Sequence, residues 1–184
     1  MGSNSVEQLW DEINNIRNIL MDKDEVSLLV FYEKTMAKVF LFSCASFFEA
    51  EMKKILEEYV KNYISDKKIA ELVKNKILSR DYHTLFNWNA ANINNFTGLF
   101  GADFKKRVET EIENNANFKE STNAFLDIGK ERNQSAHNDF ASYNLPKTIE
   151  EVHTLYEKAK EFPIKMKELL TERNDETNEI SSNS

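Results

Sequence analysis

The chain has 184 residues, a net charge of −7 and one cysteine. Such a length suits one domain able to bury a sizeable core, and a single cysteine excludes an internal disulfide and fits a reducing cytosol. With only four Gly and two Pro against abundant Glu, Lys, Leu, Ile, Phe and Asn, few breakers interrupt the helix-period stretches, and an all-α fold is expected.

Leu9, Ile13, Ile16 and Leu20 recur at helical spacing and predict an amphipathic first helix over 6–21. Asp22, Asp24 and Glu25 offer an N-cap and first-turn charges for the next helix. From Val26 to Ile64 the helical pattern meets no Gly or Pro, which predicts one long scaffold helix. Its centre, Val39-Phe40-Leu41-Phe42, is apolar on every side, as in a helix buried all round in a core or at a subunit contact. Cys44 lies in this apolar run and reads as a small buried side chain. Glu49 and Glu51 follow; exposed glutamates are the default there, with an inward-facing Glu49, beside Phe47 and Phe48, as the alternative. Ser65-Asp66 caps a short helix to Leu78.

An irregular region follows from Arg80 to Phe104, rich in Asn, with Gly98 and Gly101. Its aromatics, Tyr82, Phe86, Trp88, Phe96 and Phe100, predict a segment packed onto the core; stacking on unpaired bases is a weaker alternative. His83 has no carboxylate or Cys at metal-ligand spacing and reads as structural or surface. Asp103 can cap a short helix, 104–112, which Asn114-Asn115-Ala116-Asn117 breaks. Another helix starts near Phe118 and passes through Gly129, a place for a bend, into Arg132. Thr148 and Glu151 match a capping box. Ile149, Val152, Tyr156, Ala159 and Phe162 then mark a core face, with His153 read as structural and Pro163 as a kink or restart before the helix ends near Leu170. Residues 1–170 are thus expected to form one domain, with 171–184 a disordered acidic tail.

The chain lacks an apolar run of 18 residues, a basic-then-apolar leader and a myristoylation pattern, so a cytoplasmic protein without a membrane partner is expected. The negative charge sits at the ends. Residues 1–25 carry Glu7, Asp11, Glu12, Asp22, Asp24 and Glu25 against Arg17 and Lys23; residues 171–184 carry Glu172, Asp175, Glu176 and Glu179 against Arg173. The middle is neutral overall, and within it Lys61, Lys67, Lys68, Lys74, Lys76 and Arg80 outnumber Asp66 and Glu71. A patch of this kind can follow a phosphate backbone, although a solvated helical face accounts for any one of these lysines. No zinc pattern, phosphate-binding Gly loop or Gly-x-Ser-x-Gly elbow appears, and no metal or cofactor is expected.

The stretch that carries chemistry is Arg132-Asn133-Gln134-Ser135-Ala136-His137. Its imidazole can move a proton near neutral pH, and its guanidinium can hold a phosphate through two hydrogen bonds. Together they form a minimal kit for cutting RNA without a metal. Residues five apart also occur by chance, and on a regular helix they lie roughly 140° apart. For both to reach one phosphate, the backbone must bend or end its helix there, or a second copy of the chain must complete the site.

The Arg-Asn-x-x-x-His string near the end of a penultimate helix resembles the HEPN superfamily. So does the long second helix with Ser46-Phe47-Phe48-Glu49-Ala50-Glu51-Met52, which resembles the RiboL-PSP and MAE_28990-like groups in particular. The resemblance covers about residues 26–165. It implies an up-and-down helical bundle with one long central helix, usually a homodimer that brings two motifs together. It also implies a metal-independent endoribonuclease, a toxin or antiphage effector with RNA as substrate, alongside a cognate antitoxin or defence partner. The implied catalytic positions are Arg132, Asn133 and His137, with Glu49 a fourth. The rival reading is an inactive HEPN module that binds nucleotides, RNA or a partner protein; a helical scaffold without a site is a third.

Overall fold

The computed structural model describes residues 5–78, 85–90 and 92–172, and every regular element among them is helical. Helix α1 spans Ser5–Asp22 and buries Val6 and Ile13 against α2, which spans Val26–Tyr63. An uninterrupted run of 38 residues makes α2 about 57 Å long. Ala37, Phe40, Leu41, Cys44, Phe48, Met52, Ile55 and Leu56 recur every three or four positions and form its buried stripe. Within one copy of the chain the core does not enclose residues 39–42 all round: Phe40 and Leu41 are 0% exposed, whereas Val39 and Phe42 are half-buried.

Asp66 caps α3, Lys67–Val73, accepting from the amides of Lys68 and Ile69, and a π-helical turn at Lys74–Leu78 follows. No residue of α3 is buried, so its Ile69 and Leu72 remain exposed. Beyond residue 84, Phe86 and Phe96 are buried and stacked with centroids 4.7 Å apart. This is the inward packing expected of the aromatics there; Tyr82 and His83 lie outside the described residues. A short helix α4, Asn94–Thr97, and a 3-10 turn, Gly98–Phe100, lead to α5, Ala102–Asn114.

Helix α6 spans Ala116–His137, α7 Ile149–Ala159 and α8 Glu161–Thr171. Asn115, expected as a breaker, also caps α6 by accepting from the Phe118 amide at 3.0 Å. The capping box of α7 forms with both bonds, Thr148 amide to Glu151 Oε2 at 2.7 Å and Glu151 amide to Thr148 Oγ1 at 3.2 Å. The predicted face, Ile149, Val152, Tyr156, Ala159 and Phe162, is buried against α6 and α2. The helix restarts at Glu161, with Pro163 in the first turn of α8, where a missing amide hydrogen leaves no intrahelical bond unmade.

Two expected caps are absent. Glu25 occupies the N-cap of α2 without a side-chain bond, and Asp24 is held at φ +56° by the tight turn from α1. Gly101, at φ +99°, rather than Asp103, occupies the N-cap of α5, and Asp103 lies inside the first turn. At that φ a side chain is strained, so the glycine decides where the helix begins. His153 stacks on Trp10 with centroids 3.9 Å apart, and burial holds its imidazole below the ordinary histidine range. Burial likewise pushes the Cys44 thiol well up, so it packs as a small hydrophobe. Among the described residues, no helix is long and apolar enough to cross a membrane.

Candidate functional site

One face of α6 turns Phe125, Ile128, Gly129 and Arg132 toward α2, at the three- and four-residue spacing that shares a helix face. Facing them on α2 are Ala45, Phe48 and Glu49, and Trp88 closes the end. With Asn133 these residues line a pocket of about 30 Å³, room for roughly one water. The structure therefore brings Arg132, Asn133 and Glu49 together although 83 positions separate Arg132 from Glu49 along the chain.

Arg132 is half-buried, and its guanidinium carbon lies 5.9 Å from the centroid of the Phe42 ring. A cation over an aromatic face is attracted by the ring's quadrupole. None of the ion pairs among the described residues involves Arg132. Glu49, in contrast, is bound to Lys53 at 2.6 Å, so its charge is already compensated on its own helix.

His137 does not line this pocket. It is the last residue of α6 and is exposed. The Asn138 amide still closes on the Gln134 carbonyl at 3.2 Å, and the chain then leaves the helix in an extended conformation. The bend expected at Gly129 does not interrupt the helix, which runs as a single α-helix through Arg132 to His137. The glycine serves close packing instead: a Cβ built there would clash with the Cε3 and Cζ3 atoms of the Trp88 indole. Of the two routes left for joining Arg and His, the helix does end at the histidine, and the imidazole faces outward there.

Behind the motif, Glu131 and Ser135 are buried. The Tyr143 hydroxyl stands 3.4 Å from Glu131 Oε2 and 3.4 Å from Gln134 Oε1. Burial, reinforced by the Glu131 carboxylate, raises the Tyr143 phenol above its ordinary value, so it remains a proton donor. The residues that sequence reasoning missed are Phe42, Trp88 and Lys38. Phe42 was hidden in an apolar run, and Trp88 gave no sign that a glycine on another helix would receive it.

A family model described as RiboL-PSP-HEPN matches residues 4–172. The chain belongs to the RiboL-PSP-HEPN family. The match takes in every described helix, so the bundle that holds the pocket is the HEPN domain itself. No curated protein and no solved structure matches the chain.

Within this HEPN bundle the glycine makes a sharp test. Ala is favoured over Gly in a helix interior by about 1 kcal/mol, yet overpacking a closed interface costs about 1–3 kcal/mol. Gly129→Ala is therefore expected to lower stability by roughly 1 kcal/mol and to shift Trp88 fluorescence. Urea unfolding checks the sign; a more stable variant with an unchanged emission maximum would contradict the packing described.

Proposed function

We propose that this HEPN-family chain is a metal-independent endoribonuclease, working as a homodimer whose site is completed by both copies. The observation that carries the reading is Arg132: a half-buried guanidinium without a carboxylate partner among the described residues, beside Asn133, on the helix that ends in the exposed His137. An uncompensated cation at the mouth of a small pocket suits an anion, and the family match makes RNA or a nucleotide the natural candidate.

RNA carries its own nucleophile in the 2′-OH. In the proposed reaction one imidazole removes the 2′-OH proton, the 2′-oxygen attacks the adjacent phosphorus, and the bond to the 5′-oxygen breaks. A second imidazole returns a proton to that leaving oxygen. The products are a 2′,3′-cyclic phosphate and a 5′-hydroxyl. Arg132 stabilises charge growing on the non-bridging oxygens, and Asn133 orients one of them. One copy alone holds its imidazole outside the Arg132 pocket, which is why the proposal requires a second. Glu49 is assigned to the pocket wall, its charge met by Lys53. The reading includes a cytoplasmic setting and a restraining antitoxin or defence partner, because an unrestrained ribonuclease would damage its own cell.

The exposure of His137 away from the pocket and the acidic overall charge favour a second reading, a binding module of the same family without cleavage. Incubating a mixed-sequence RNA with the protein in excess EDTA separates the two. Cleavage with cyclic-phosphate ends is expected, and Arg132→Ala is expected to reduce it about 10²–10³-fold, the cost of deleting one donor to a developing oxyanion. Cleavage that requires added divalent metal would reject the mechanism, and binding without cleavage would favour the second reading.

A further inference from the structure

Among the hydrogen bonds of the described residues, those that fasten the chain leaving His137 to α2 come from one side chain, Lys38. The Lys38 ammonium donates to the main-chain carbonyls of Phe140 at 2.8 Å and Tyr143 at 3.2 Å, across more than 100 residues of sequence. The same ammonium stands 4.9 Å from the centroid of the Phe140 ring. Phe140 meets Phe42 edge-on, with centroids 5.5 Å apart and an interplanar angle of 81°. Phe42 is the ring on which the Arg132 guanidinium rests. Lys38 is therefore linked to Arg132 through two aromatic rings, and to His137 through the short stretch of main chain up to Phe140.

The turn that Lys38 holds is itself a closed unit. The Tyr143 amide donates to the Asp139 carbonyl at 2.8 Å, and the Ala141 amide donates to the Asp139 side chain at 3.2 Å. Among the hydrogen bonds of the described residues, the two from Lys38 are those that join this turn's main chain to α2. A lysine that serves only as a solvated surface charge has no fixed partners, whereas this one has two carbonyl oxygens and a ring. Both bonds are charge-assisted, the stronger class of hydrogen bond.

We propose that Lys38 is a positioning residue, which sets where His137 stands relative to Arg132 by clamping the 139–143 turn. The proposal rests on the ribonuclease reading for its effect on rate, and on the geometry alone for its effect on the turn. Reacting groups displaced by about 1 Å can lose as much as 100-fold in rate, with little change in binding.

The test uses the full chain carrying Lys38→Met, which keeps the stem and removes the ammonium, together with Lys38→Arg and Phe140→Leu. Cleavage of a fluorophore-quencher RNA oligonucleotide gives kcat and KM. Amide hydrogen exchange at 140–143 and the His137 imidazole NMR signals report the turn without reference to activity. The expected result for Lys38→Met is a fall in kcat of roughly 10-fold or more, KM within about two-fold, faster exchange at 140–143 and a shifted His137 signal. Lys38→Arg should recover most of the rate, and Phe140→Leu should lose part of it. An unchanged kcat, or a loss confined to KM, overturns the proposal. If the wild-type chain leaves the RNA intact, the ribonuclease reading fails on its own. In that case unchanged exchange and an unshifted His137 signal in Lys38→Met overturn the clamp, and a changed turn upholds it. Should Lys38→Met not fold, Phe140→Leu and Lys38→Arg carry the same comparison.

Discussion

His137→Ala is expected to reduce RNA cleavage by about 10²–10⁴-fold, the usual contribution of a positioned acid or base, without disturbing the fold. The side chain is exposed at the last position of α6 and takes part in none of the hydrogen bonds or ion pairs described above. Its removal should therefore change stability by no more than about 0.5 kcal/mol. Cleavage rates alongside urea unfolding check both halves, and full activity in the variant would reject the proposed mechanism. The same variant addresses the composite site. Mixed with wild-type chains and allowed to exchange subunits, it should lower the activity of the mixed dimer well below half that of the wild type, because a shared site that needs two imidazoles then holds one. Two independent sites, each drawing all its groups from one copy, would leave the mixed dimer half active.

The largest expected effect on stability belongs to Phe125, seven residues before Arg132 on the same face of α6. It is 2% exposed. Its ring stacks on Phe162 with centroids 4.2 Å apart and meets Phe86 at 5.0 Å, Trp88 at 5.7 Å and Phe48 at 5.9 Å. One side chain thus joins α2, α6, α8 and the 85–90 segment. Phe125→Ala removes that shared partner and leaves a cavity that four rigid rings cannot readily close, so a loss of about 3–5 kcal/mol is expected. Because Phe125 also lines the pocket beside Arg132, the variant should lose its remaining activity in step with folding. A loss below about 1 kcal/mol in urea unfolding would show that the cluster is not the joint between these helices.

Much of the bundle was legible before any coordinates. The uninterrupted pattern from Val26 gives α2, Asp66 starts α3, and Thr148 with Glu151 starts α7. Each of these signals acts within four or so residues of chain, so composition and spacing suffice to determine it. The Arg-x4-His string and the Ser46–Met52 stretch pointed to the family that residues 4–172 match.

Other local signals yielded to their surroundings. Asp22, Asp24 and Glu25 have the chemistry of caps, but the turn from α1 aims them elsewhere. Gly129 has the freedom to bend, but Trp88 uses its missing side chain instead.

The sequence by itself therefore determined the helices, the family and the residue types of the candidate site, because periodicity, capping and motif spacing are properties of neighbours along the chain. Only the tertiary structure decided that Glu49 joins Arg132 and Asn133 in one pocket, that His137 stands outside it, and that Lys38 ties down the turn beyond. Those contacts join residues some 80 to 100 positions apart, and they depend on how helices pack across the core, which no short window of sequence contains.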